Sequence, residues 1–119
     1  MRVTLVFVPP GGGEADHQMP FELPSIPQVG DYIAIMLEGK PEEAELGYET
    51  FIVRRTIWEL KYPKTGSSIV QAGEHGVPGT IWVECEFARS GMMSESHKKN
   101  CDMYAGRGLT VPEQDATAY

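Results

Sequence analysis

The residues whose types and spacing first suggest chemistry are two carboxylates and two guanidiniums. Glu84 and Glu86 lie two apart within GTIWVECEFA, residues 79–88. Side chains two apart on a strand share a face, so these carboxylates would stand about 6 to 7 Å apart, close enough to influence each other's ionisation in a buried site. Arg54 and Arg55 are adjacent, and a guanidinium recognises carboxylate or phosphate through two parallel donors. Neighbouring residues of a strand face opposite ways, so only a bulge would bring the two arginines together. Joined by His75, the four would line a ligand pocket. The simpler expectation is a set of salt bridges between Arg54 or Arg55 and Glu84 or Glu86 on the adjacent strand.

Other reactive residues form weaker constellations. His97 and Cys101 are four apart and would share a helix face, which is half of a tetrahedral metal site, but no second His or Cys pair completes it. His17 and His75 stand beside acids in separate loops. Gly11, Gly12 and Gly13 follow a strand as a phosphate-binding loop would. No Gly-Lys-Ser/Thr follows them, however, and Glu14 and Asp16 would repel a phosphate. Ser67 and Ser68 lack a nucleophile elbow. No catalytic residue, metal or cofactor is therefore expected, and a non-enzymatic role is favoured.

Charge points to a kind of partner. Of the 17 acids in this 119-residue chain, which carries a net charge of -7, nine lie in residues 1–50, against only Arg2 and Lys40. The second half is balanced. An acidic surface is repelled by phosphate backbones and anionic membranes, so direct binding to nucleic acid or membrane is not expected. A protein with a basic surface is, including a nucleic-acid-binding protein whose groove the acids would mimic. The expected contact residues are Glu38, Glu42, Glu43, Glu45 and Glu49 of the acidic linker, with Tyr48 beside them. Exposed aromatics would add to such an interface, and Trp58, Trp82, Tyr62 and Phe21 are the candidates. Two cysteines outside any CxxC, with no signal-peptide pattern at the start, fit reduced thiols in a cytoplasm.

The elements that must position these residues read as strands. Arg2–Val8 is nearly continuous apolar and β-branched sequence, covered on both faces or meeting the tail on the second. Met19–Asp31 is punctuated by Pro20, Pro24 and Pro27, so it runs extended or forms an edge. Asp31–Glu38 is apolar on both faces and is expected to be central. A one-turn helix is possible over Pro41–Leu46. In Tyr48–Tyr62 the apolar residues change parity, from Phe51 and Val53 to Trp58, Leu60 and Tyr62. One extra residue near Arg54–Ile57 would restore a single buried face, which predicts a bend. Residues 79–88 alternate cleanly and should pair antiparallel with the bent strand, leaving Cys85 as inert packing. Ser94 can cap a short helix over SESHKKNCDMY. The last fifteen residues read as disordered by composition, with Leu109 and Val111 as the anchors if they dock instead.

Together these give a mainly β protein: a small antiparallel barrel with an SH3-like or OB-like curl, five or six strands, a bent central strand and a short C-terminal helix. The entry LPSIPQVGDYI resembles those of small barrels in general. The barrel is expected to span residues 1–91 and the tail, with its helix, 92–119. The expected function is a protein-binding module, an adaptor or inhibitor of a basic partner. The alternative is a small enzyme or ligand-binding barrel with a pocket of Arg54, Arg55, Glu84, Glu86 and His75.

Overall fold

The structure, a computed structural model, describes residues 1–36, 47–63, 73 and 75–114. Among these residues five strands, β1 (Arg2–Val8), β2 (His17–Glu22), β3 (Tyr32–Met36), β4 (Tyr48–Lys61) and β5 (Val77–Phe87), precede one helix, α1 (Glu95–Gly106). They form a single sheet in the order β2-β1-β5-β4-β3, curled into a half-barrel. The mainly β class, the bent strand and the C-terminal helix are as expected. The neighbouring strands are antiparallel except β1 and β5, which run parallel with Leu5 opposite Val83 and Phe7 opposite Cys85. The sheet is therefore mixed.

Alternation along the strands builds the core. Val3, Leu5 and Phe7 of β1, Phe51 and Val53 of β4, and Ile81, Val83, Cys85 and Phe87 of β5 are all buried on one face. On the other face of β1, Thr4 and Val6 are only half-buried. A chain of rings runs through the core, with Phe7 4.5 Å from Phe51 and Phe51 5.1 Å from Phe87.

Asp31–Glu38 was expected to be a central strand, and here the structure differs. β3 covers Tyr32–Met36 and, among the described residues, is an outer strand paired only with β4. Ile33 and Ile35 pack toward the core, whereas Tyr32 and Met36 are exposed. Apolar residues on both faces did not require two covering layers, because much of any protein surface is apolar. β2 is the other outer strand, where Pro20 removes no donor that the sheet needs.

The two outer strands are joined by residues 23–31, so this segment crosses the open side of the half-barrel from one edge to the other. Pro24 and Pro27 suit the crossing, because neither carries an N–H that would need a partner. Its end is a tight turn in which the Asp31 N–H donates to the Gln28 carbonyl at 2.9 Å. Gly30 sits at φ +93°, a backbone state that L side chains rarely adopt.

Ser94 caps α1 as expected, accepting from the His97 N–H at 3.2 Å. The helix is otherwise polar, and its buried seam is His97, Cys101 and Tyr104, one face at helical spacing. His97 stacks on Phe87 with rings 5.5 Å apart and 9° from parallel. Beyond the helix, Val111 packs against the core while Leu109 is 37% exposed. Gln114 donates through Nε2 to the carbonyls of Phe51 at 3.0 Å and Ile33 at 3.3 Å. The tail thus docks through Val111 and Gln114 on the same core as the sheet. Among the described residues no helix is long and apolar enough to cross a membrane.

Candidate functional site

The expected bend is a bulge centred on Arg54. Across β4 and β5, Val53 faces Cys85 and Arg55 faces Glu84, so two steps on β4 match one step on β5 and Arg54 is the extra residue. The bulge moves Arg55 onto the face that carries Glu84 and leaves Arg54 beside it. Both arginines then converge on one carboxylate. The Arg55 Nε donates to Glu84 Oε2, and Arg54 Nη1 lies 3.7 Å from the same oxygen. Arg54 Nε is 4.0 Å from Glu86 Oε2. The Glu84 side chain is 8% exposed, so its charge is largely out of water and balanced by the two guanidiniums.

The glycine loop completes this cluster. Gly11 donates its N–H to Glu86 Oε2 at 2.8 Å. Gly12, at φ +94°, lies against the Arg54 guanidinium, whose carbon an added Cβ would meet at 2.9 Å, so the tip of the arginine would have to shift. Of the three glycines, Gly12 therefore serves a close backbone approach to an arginine, and Gly11 meets a carboxylate rather than a phosphate. Gly12→Ala should cost at least about 1 kcal/mol, since both the positive φ and the contact oppose it; a urea midpoint checks this.

The cluster leaves out the fifth expected member. His75 is exposed and lies two residues before β5. From Val77 to Glu84 is seven strand steps, about 23 Å. The hairpin places His75 at the far end of the arm, so it joins no pocket with the arginines. Of the expected acidic contact residues, Glu38, Glu42, Glu43 and Glu45 lie outside the described residues, as do Pro41–Leu46, Ser67 and Ser68. Glu49 and Tyr48 open β4, opposite Ile35 and Met36. Tyr48 is tied to the segment before α1, donating its N–H to the Met92 carbonyl at 2.9 Å and accepting from Ser94 at 3.0 Å. The tryptophans are separated by the alternation: Trp58 is 56% exposed and Trp82, opposite Ile57, is half-buried.

Neither cysteine is disposed to react. Cys85 is fully buried, and desolvation, followed by the neighbouring Glu84 charge, pushes its thiol up to about 12. Burial raises the Cys101 thiol as well. A folded-state value above the unfolded one means that the unfolded chain releases the Cys85 proton first as pH rises. Stability should therefore fall from about pH 9 upward as Cys85 ionises in the unfolded chain. Urea midpoints of wild type and Cys85→Ala, compared at pH 7 and pH 10, check the sign: the gap between them should narrow at the higher pH. His97 and Cys101 do not form a metal site; the His97 Nε2 lies 2.9 Å from the Ala88 carbonyl. Among the described residues no group of three or more His, Cys, Asp or Glu side chains is placed to hold a metal ion.

One concave feature was not foreseen. A groove of about 730 Å³ lies where residues 23–31 cross the open side of the half-barrel, lined by Met1, Leu23–Gln28 and Asp31–Ile33. Its walls are largely apolar, with Leu23, Ile26, Pro27 and Ile33 half-buried, and Asp31 is exposed at its rim. The Asp31 carboxylate accepts from the Gln28 N–H at 2.7 Å, which holds it in place. The proline spacing was the sequence signal for this segment, although it indicated only an extended path. A second groove, of about 350 Å³, is lined by Arg2, Thr4, Pro20, Gly79 and Thr80. None of Arg54, Arg55, Glu84, Glu86 or His75 lines either groove.

Comparison with known proteins returned no matching family model, no matching curated protein and no matching solved structure.

Proposed function

We propose that the chain is a non-enzymatic protein-binding module, an adaptor or inhibitor, that holds a basic partner. The observation that carries this proposal is the open apolar groove at the crossing of residues 23–31, with Asp31 on its rim, in a chain of net charge -7. An extended segment with alternating apolar and basic side chains suits it. The apolar side chains would cover Ile26 and Ile33, and the basic ones would meet Asp31. Such charge complementarity acts chiefly on encounter rate and specificity.

The test is fluorescence anisotropy with two labelled short peptides, one alternating lysine and leucine and one alternating glutamate and leucine. The lysine peptide should bind, more weakly as salt is raised, and Ile26→Arg should abolish its binding. Neutralising Glu42, Glu43 and Glu45 to glutamine should weaken it. Equal binding of the two peptides, or binding unmoved by Ile26→Arg, would contradict the proposal.

The alternative, a small enzyme or ligand-binding barrel, would need Arg54 or Arg55 free to meet a ligand at a concave site; both are paired with Glu84 and Glu86, and none of the four lines either groove.

A further inference from the structure

The β4–β5 hairpin extends past the core as an arm, and the outer edge of β4 along it is open. β3 pairs with β4 only as far as Ile52, and the Val53 N–H and carbonyl are taken by Asp31 and Gly30. Beyond Arg54, no strand among the described residues pairs with this edge. Along it Trp58 is 56%, Leu60 72% and Tyr62 68% exposed. The second register shift places the extra residue on β5, between the pairs Trp58–Ile81 and Leu60–Pro78. Along β4, Trp58 and Leu60 therefore share one face and Glu59 and Lys61 the other, and Tyr62, the residue after β4, continues the spacing of the first face. The usable window runs from beyond Thr56, whose Oγ1 donates to the Pro27 carbonyl at 3.5 Å, to Pro63. Open edges of this kind recruit further strands.

We infer that the partner for this edge is a second copy of the chain, paired antiparallel about a two-fold axis at Leu60. The sequence Trp58-Glu59-Leu60-Lys61-Tyr62 is complementary to itself in that register. Trp58 of each copy falls opposite Tyr62 of the other, Glu59 opposite Lys61, and Leu60 opposite Leu60. An isologous contact requires such reciprocity. It also supplies two opposite-charge pairs and two aromatic pairs, both favourable directly across a strand pair. At a net charge of -7 per copy, two chains repel overall, so association calls for a segment that is locally neutral. This window is one. Glu59 is held toward the sheet by the Thr80 N–H at 3.3 Å, and a carboxylate can accept from more than one donor at once. This contact lies on a different surface from the groove, so peptide binding and self-association succeed or fail separately.

Sedimentation equilibrium over a dilution series tests the inference. The mass should rise from the 13.2 kDa of one chain toward twice that value with concentration. Glu59→Lys and Lys61→Glu should each weaken self-association by about tenfold or more, because each sets like charges opposite each other twice per dimer. An equal mixture of these two variants should associate as tightly as wild type, since each then meets its opposite charge. Leu60→Asp, at an exposed position, should dissociate the pair while circular dichroism stays unchanged, and it carries the test if either reversal disturbs folding. A single-chain mass at every concentration, reversals without effect, or a mixture no tighter than its components would overturn the inference.

Discussion

Replacing Arg54 and Arg55 together with methionine should lower stability by about 3 kcal/mol, the lower part of the range for stranding a buried charge. The arginines are 37% and 60% exposed in their side chains, so their own desolvation is small. The effect arises at Glu84, whose side chain is 8% exposed and would be left in a poorly hydrated place without a cation nearby. Ordinary surface ion pairs contribute only about 0 to 1 kcal/mol each, so a loss within that range would mean that Glu84 reaches water after all. A third replacement, Glu84→Met, should recover most of the loss, because it removes the stranded charge rather than restoring the pair. Urea midpoints of the double and triple variants measure both effects, provided the slopes are unchanged.

His97→Ala should cost about 3 kcal/mol or more, as deletion of a buried ring commonly does. The ring is 1% exposed, stacks on Phe87 and meets Phe51 edge-on at 5.4 Å. It is also one of only three side chains through which α1 is buried. Its Nε2 faces the Ala88 carbonyl at 2.9 Å, which Thr50 Oγ1 also approaches at 2.8 Å, so helix, β4 and the end of β5 meet at one acceptor. His97→Phe separates the two contributions: it keeps the ring contacts and should cost only about 1 kcal/mol for the lost hydrogen bond. If His97→Ala unfolded within about 1 kcal/mol of wild type, the helix would be a peripheral addition to the sheet.

What was legible in the sequence was mostly local. The change of parity between Val53 and Trp58 located the bulge, because a strand with one buried face tolerates no slip without an extra residue. That bulge and the spacing of Glu84 and Glu86 were enough to anticipate the ion pairs. Ser94 marked the helix start because a hydroxyl before a polar run can satisfy the first N–H groups. Long-range arrangement was not legible. β1 and β5 pair in parallel after the chain has passed through all the other strands, and no pattern within Arg2–Val8 encodes that neighbour. β3 was misplaced because Tyr32 and Met36 are apolar yet exposed, which alternation cannot distinguish from burial. The groove depends on the sheet curling only halfway, so that Leu23–Gln28 crosses an opening; Pro24 and Pro27 announced the extended path but not what lay beneath it. Nor does the sequence give the length of the arm, which separates His75 from the arginines.

The proposal that the chain holds a basic, extended partner segment is tested most directly by recording backbone amide spectra during titration with the lysine–leucine peptide. Shifts should concentrate at Leu23, Ser25, Ile26, Gln28 and Asp31–Ile33, with the amides of Arg54, Arg55 and Glu84 unmoved. Shifts centred on those arginines and Glu84, or none at saturating peptide, would contradict it.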